Sequence, residues 1–456
     1  MKKAGFCAIL KAEQIRFPGR KIHKERVPDL MNTSELKSAL LGGQYDSRFA
    51  YIYGEEAVEA QKKRYAAAVD AFAALYGEDR DAALFSVAGR SELSGNHTDH
   101  NHGCVIAASI DLDIIAVAAP SDGMLVRVKS KSFPEDTVDL SAFCQPVESA
   151  FGTSASLIAG MAAGFSEKGH RIGGFDAYTT SNVLKGSGIS SSAAFEDMIG
   201  NILNHLYNDG KVDNVEIAKL SQYAENRFFG KPCGLMDQVA CGVGGIVAID
   251  FADPKSPIIE KIDFDFTGAG YRLCIVNTGG NHADLTDDYA SIPTEMKAVA
   301  AVFGKQVLRE VDEEAVIAAI PALRKKVGDR AVLRALHFYA ENRRVGRQKA
   351  ALTEGDTDTF FREVIASGAS SFCYLQNVYT VKNTAEQGLS LALCLAERLL
   401  SGKRAAWRVH GGGFAGTVQA FVPTEEAESF RSSMDTVFGE GACMLLRIRP
   451  VGAVRI

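Results

Sequence analysis

Apolar residues recur at helical spacing over 55–77, where Tyr65, Val69, Phe72 and Leu75 share one face, and the pattern then changes at Ala83 to Val87 to a short strand-like run. Residues 89–103, punctuated by glycine, read as a loop. Val105 to Ala119 is β-rich and apolar, and further strands are expected near Leu125 to Val128 and Asp176 to Thr180. Helical periodicity returns over 154–167, 190–207 and 215–228. Residues 271–277 (YRLCIVN) carry a strong strand signal and helical patterns dominate 294–400. The chain closes with a strand at 407–409, a glycine loop at 411–416, a strand at 417–422 and a helix at 425–437. Upstream, Thr33 or Ser34 can cap a helix over Glu35 to Leu41. Helices and strands intermixed with hairpin-like connections predict an α+β fold. The change of pattern near 270 predicts two domains, 31–270 and 271–456.

Composition narrows the function. At 456 residues and 46% hydrophobic content the chain is long enough for two cores and too apolar for disorder. A net charge of -6 gives no footprint for nucleic acid or an anionic membrane surface, and no apolar run approaches a membrane span. A small-molecule partner is therefore expected, with no nucleic acid and no membrane, and a monomer. Nine scattered cysteines without a C-x-x-C pair read as reduced thiols of a cytoplasmic protein. Residues 1–30 carry eight Lys and Arg against three Asp and Glu, and read as a basic solvated arm outside the fold.

The stretch from Lys185 to Ala194, KGSGISSSAA, precedes a helix whose apolar positions Phe195, Met198, Ile199, Ile202, Leu203 and Leu206 fall on one stripe, with Glu196, Asp197, Asn201 and Asn204 elsewhere. The first turn of that helix leaves backbone N–H groups unpaired at the positive end of the helix dipole, and Gly186 and Gly188 permit close approach. Such a turn can cradle phosphate, its hydroxyls adding donors or a ligand to Mg²⁺. An ordinary Gly/Ser turn with a serine cap reads the same way. The spacing matches neither the Walker nor the Rossmann pattern.

Two further glycine-rich stretches, Gly89 to Gly103 (GRSELSGNHTDHNHG) and His410 to Gly416 (HGGGFAG), flank this one in sequence. The ordered trio resembles the three motifs of the GHMP small-molecule kinases, and the first is similar to the galactokinase signature Gly-Arg-Val-Asn-Leu-Ile-Gly-Glu-His-Thr-Asp-Tyr-Asn. Ala224-Glu225 and the block from Pro232 to Gln238 (PCGLMDQ) resemble a fourth galactokinase block, and Asn277 to Tyr289 a weaker fifth. The resemblance spans roughly 80 to 425. It implies a GHMP kinase fold, with an N-terminal domain like ribosomal protein S5 domain 2 and a ferredoxin-like C-terminal domain. It also implies an activity, transfer of the γ-phosphoryl group of ATP to the anomeric hydroxyl of a hexose. By the same resemblance Asp237 is the catalytic carboxylate and Arg90 its cationic partner, and Ser192 and Glu225 are Mg²⁺ ligands. Asn96, His97, Asp99, Gly234, Asp237 and Tyr289 occupy sugar-contacting positions. Gly186, Ser187, Gly188, Ile189, Ser190, Ser191, Ser192 and Ala193 form the ATP phosphate loop.

These residue types suit phosphoryl transfer, which needs phosphate charge neutralised and a hydroxyl held in line. An arginine beside Asp237 would keep it ionised, so that it orients the hydroxyl more than it removes the proton. Other readings stand beside these: His97, Asp99, His100 and His102 as a metal cluster, Gly411 to Gly413 as a plain turn, and Tyr289 as a packing residue. The chain departs from the family pattern at Leu184 and Ala415, and more seriously at Glu92, Asn96 and His100. In galactokinases a glutamate at the position of Asn96 lies near the C6 hydroxyl. Its replacement predicts better tolerance of C6-modified galactose, galacturonate included, and leaves a kinase for another C6- or C2-modified hexose as the alternative. Galactokinase-like sugar sensors have lost a Ser-Ala pair from the serine loop, whereas Ser190 to Ala194 is complete here.

Overall fold

Two antiparallel strands, Asp81–Ser94 and Cys104–Pro120, form the spine of the molecule, and their apolar residues alternate between two cores. Leu84, Ile115 and Val117 pack with Leu40, Phe49, Tyr65 and Phe72 from the helices Thr33–Leu41, Asp46–Tyr53 and Val58–Tyr76. Phe85, Val87, Ala116 and Ala118 face the other way, onto Ile158, Phe165, Met198 and Ile202 of the helices Ser154–Glu167 and Ser191–Tyr207. With both faces covered, Ala82 to Ser94 is buried throughout. The computed structural model describes residues 30–142, 145–183, 189–231, 233–280 and 285–456. Residues 1–29 of the basic arm, and Gly186, Ser187 and Gly188, fall outside them.

The spine belongs to a nine-stranded sheet running Met31–Asn32, Asp81–Ser94, Cys104–Pro120, Phe175–Ser181, Leu125–Ser130, Glu135–Asp139. Ile246–Asp250 pairs with Cys104–Pro120 and carries Ile258–Ile262 on its other edge. Among the described residues, only Leu125–Ser130 and Phe175–Ser181 pair in parallel. The last strand, Val454–Arg455, returns to pair with Asp81–Ser94. A second, wholly antiparallel sheet runs Ala406–His410, Thr417–Pro423, Tyr271–Asn277, Cys443–Leu446. One of its faces packs on Phe360, Phe361 and Val364, the other on Ala396, Leu400, Phe430 and Met434. The fold is α+β, and among the described residues no helix is long and apolar enough to cross a membrane.

Several local expectations are corrected by tertiary contacts. Asn32, not Thr33 or Ser34, caps the first helix, its side chain accepting from the Ser34 N–H at 3.0 Å. The presumed loop from Gly89 is still strand as far as Ser94, because two register shifts, between Ala88 and Arg90 and between Glu92 and Ser94, let glycine and charged residues remain paired with Cys104–Pro120. The helix expected to run to 228 is α-helical only from Asn214 to Ala224 and widens to a π-turn over Glu225–Phe229. Within Ser191–Tyr207, Glu196, Asp197, Asn201 and Asn204 are all buried while Phe195 is only half-buried. The helix is packed on every side, so its polar residues have protein partners rather than solvent: Asp197 accepts from Ser221, and Asn204 bonds both ways to Val212.

Candidate active site

The register shift after Ala88 re-aims Arg90 out of the sheet toward the start of the Ser191–Tyr207 helix, where its N–H donates to the Ile189 carbonyl at 3.2 Å. Asp237 lies in the first turn of the helix Met236–Val243. The Arg90 guanidinium grips it with two bonds, Nε to Oδ1 at 2.8 Å and Nη2 to Oδ2 at 3.0 Å. Ser190, at φ 57° in the left-handed region, donates from Oγ to the same Oδ2. Burial pushes the Asp237 carboxyl up, but the charge and hydrogen bonds of Arg90, helped by Ser190 and Lys231, outweigh it and hold the group below its usual range. Asp237 is therefore a fixed anion, and a third of its side chain still reaches solvent. Ile189 and Ala193 are buried, while Ser190, Ser191 and Ser192 are half-buried around the helix N-terminus.

The first glycine loop closes against the last. His97 donates from Nε2 to the Gly412 carbonyl at 2.9 Å, and its ring meets the edge of Tyr289 with centroids 5.1 Å apart. Tyr289 lies over Gly412, where a Cβ would sit 1.8 Å from its ring, so only glycine permits that contact. Burial, reinforced by His100, pulls the His97 pKa down to about 3, and its Nδ1 is a buried acceptor without a protein partner among the described residues. Asp99 is next to Gly234, whose added Cβ would lie 3.1 Å from Oδ2. Thus Arg90, His97, Asp99, Gly234, Asp237 and Tyr289 are brought together from three separate stretches of chain. Among the described residues, the His97, Asp99, His100 and His102 cluster does not converge as metal ligands: His97 Nε2 is taken up by Gly412, and His100 Nε2 lies 3.6 Å from Asp99 Oδ1.

Asn96 is placed differently from its sequence expectation. Its amide is wholly occupied by protein, Nδ2 donating to Gly411 O (2.7 Å) and Glu92 Oε1 (3.4 Å), Oδ1 accepting from Asn377 Nδ2 (2.9 Å) and Ser371 Oγ (3.1 Å). Glu92 in turn pairs with the fully buried Arg408. The Asn96 amide has no polar atom left over for a sugar without giving up these bonds.

The helix Asp329–Glu354 lies within the stretch expected to be helical, but the sequence did not show that it grips the first motif from behind. Glu341 Oε1 accepts from the N–H groups of Gly95 (3.3 Å) and Asn96 (3.4 Å), His337 bonds the Asn96 carbonyl at 3.0 Å, and Asn342 accepts from Cys104 N–H at 2.7 Å. Nothing in the helical period marks these residues. The one signal was the density of polar residues at positions that a helix must bury.

Glu225, at the start of the π-turn, is buried, with Lys231 on Oε1 (3.2 Å) and Gln238 on Oε2 (3.0 Å). Carboxylate and hydroxyl oxygens of Glu225 and Ser192 are the donor type a hard divalent cation prefers.

Comparison with known proteins identifies the family of the chain. The family models for the GHMP kinases N terminal domain and for the galactokinase galactose-binding signature match residues 156–245 and 70–120. The galactokinase of Streptomyces coelicolor is 29% identical over 385 residues, 83% of this chain and 94% of that one. That of Streptococcus suis is 30% identical over 378 residues, 81% of this chain and 92% of that one. Among solved structures, Lactococcus lactis galactokinase complexed with galactose superposes with a TM-score of 0.71 at 23% identity, covering 86% of this chain and all of the other. A mevalonate kinase shares the fold at a TM-score of 0.58. With a fold shared across these kinases and a 30% identical relative covered over nearly its whole length, the chain belongs to the galactokinase family of GHMP kinases.

Proposed function

We propose that the protein is an ATP-dependent sugar 1-kinase acting on galactose or a close relative. The observation that carries this reading is the fixed anion Asp237, clamped by Arg90 and Ser190 at the N-terminus of the Ser191–Tyr207 helix. A hydroxyl bonded to Asp237 would lie beside the place where that helix end and Arg90 favour phosphate oxygens. The hydroxyl oxygen forms a bond to the γ-phosphorus, the bond to the ADP oxygen breaks, and the hydroxyl proton passes to Asp237 or to water as charge moves to the phosphate. Because Arg90 keeps Asp237 a weak base, its part is chiefly orientation. Asp99 and the free Nδ1 of His97 are the acceptors we assign to sugar hydroxyls, beside Gly234 and under Tyr289.

Ser192 and Glu225 would hold Mg²⁺, which neutralises charge on the ATP phosphates when bound. Asn96, its amide filled by protein partners, we read as a strut between the first and last glycine loops rather than a reader of C6. ATP consumption over a panel of hexoses tests the reading: turnover with galactose at the highest kcat/KM is expected, and no turnover with any hexose would overturn it.

A further inference from the structure

Glu196 is a buried acid that the reading above does not use. It lies four residues after Ser192 on the same helix, so the two side chains share one face, one turn apart. Its side chain is fully buried, yet Oε1 has no partner among the described residues. Its other oxygen, Oε2, accepts from Gln238 Nε2 at 3.3 Å, and the same nitrogen donates to Glu225 Oε2 at 3.0 Å. One amide nitrogen thus bridges two carboxylates that belong to different helices. Burying a carboxylate with one oxygen unsatisfied costs several kcal/mol unless a proton or cation offsets it, and a purely structural role gives no reason to place a second one beside it.

We propose that Glu196 is a third oxygen-bearing group of the divalent-cation site, joining Ser192 and Glu225, with the Gln238 amide holding both carboxylates in register. The inference rests on the reading of Ser192 and Glu225 as cation ligands. In it, Ser192 and Glu196 present two oxygens from one helix face and Glu225 presents a third from the π-turn opposite, a donor set suited to a hard cation. Gln238, directly after Asp237, links the cation site to the carboxylate that positions the acceptor hydroxyl.

The test is Mn²⁺ binding followed by loss of its free-ion electron paramagnetic resonance signal, with full-length protein, with and without ADP. Glu225→Gln and Glu196→Gln are each expected to weaken Mn²⁺ at least tenfold, with unfolding midpoints near wild type. Glu196→Asp separates contact from mere proximity, because it keeps the charge and withdraws the oxygens by one methylene: several-fold weaker binding is expected. If Glu225→Gln weakens Mn²⁺ and both Glu196 variants bind it as wild type does, the inference is overturned and the Ser192 and Glu225 site stands. If neither Glu225→Gln nor Glu196→Gln has an effect, both are overturned. Should Glu196→Gln fail to fold, Glu196→Asp alone decides, wild-type Mn²⁺ affinity in it overturning the inference.

Discussion

The role proposed for Asp237 rests on the bonds from Arg90 and Ser190 that hold it as an anion. Replacing it by asparagine keeps the shape but puts an N–H₂ group toward Arg90 or Ser190, so the fixed anion and the orientation of the accepting hydroxyl are both lost. Asp237→Asn is expected to lower kcat by a factor on the order of 10³ while ATP and sugar still bind, measured by steady-state kinetics and calorimetry. Near-normal turnover would remove Asp237 from the chemistry. At Asn96 the sequence expectation and the structure diverge, and Asn96→Glu separates them. A carboxylate there loses the donation to the Gly411 carbonyl and approaches Glu92, so a loss of about 1–3 kcal/mol in unfolding free energy is expected. The ratio of kcat/KM for galactose and galacturonate should stay within about threefold. A large change in that ratio without loss of stability would restore Asn96 as a reader of C6.

At the level of elements, the site depends on how the Asp329–Glu354 helix holds the backbone of the first motif. Glu341, fully buried, receives two loop N–H groups, Ser367 Oγ and Arg344. Glu341→Ala leaves those donors unpaired, and the loop that carries His97 and Asp99 loses its rear support. The expected result is a sugar KM raised roughly tenfold with ATP KM little altered, since the serine helix is anchored elsewhere. Equal weakening of both substrates would show general loosening instead. Helix periodicity located most of the element's neighbours, yet the strand through Arg90 and Glu92 was read as loop. Its register shifts depend on pairing with Cys104–Pro120 and leave no mark in local composition.

Across the whole molecule, the C-terminal segment closes back on the first sheet. Arg449 and Asp113, both fully buried, pair at 3.1 Å, and Asp113 also receives Arg64 and Tyr53. Arg449→Met removes one cation and leaves the carboxylate short of a partner, which should lower unfolding free energy by about 3–5 kcal/mol, read in urea melts. Burial pushes the Asp113 carboxyl up, but Arg64 and Arg449 outweigh it and hold it below its usual value. A depressed folded value stabilises above the unfolded pKa near about 3.9 and loses that contribution as pH falls through the folded value. The gap between wild type and Arg449→Met should therefore be full at neutral pH and narrow in strong acid. A gap independent of pH would assign the loss to packing of the arginine stem.

Sequence alone determined the family and the residues able to do chemistry, because the glycine motifs and the acid and base types within them are local strings. It also placed the helix Ser154–Glu167 and the strand Tyr271–Asn277 at their observed bounds, since a regular apolar period with clear ends leaves one solution. Tertiary structure alone decided what each polar group touches. Glu196 falls off the apolar stripe of its helix yet is buried beside Glu225, and Asn96, expected as a sugar contact, ties Gly411 to Asn377. Periodicity reports only how a segment divides between inside and outside. The partner of a buried polar atom is set by residues hundreds of positions away, brought close only when every element has packed.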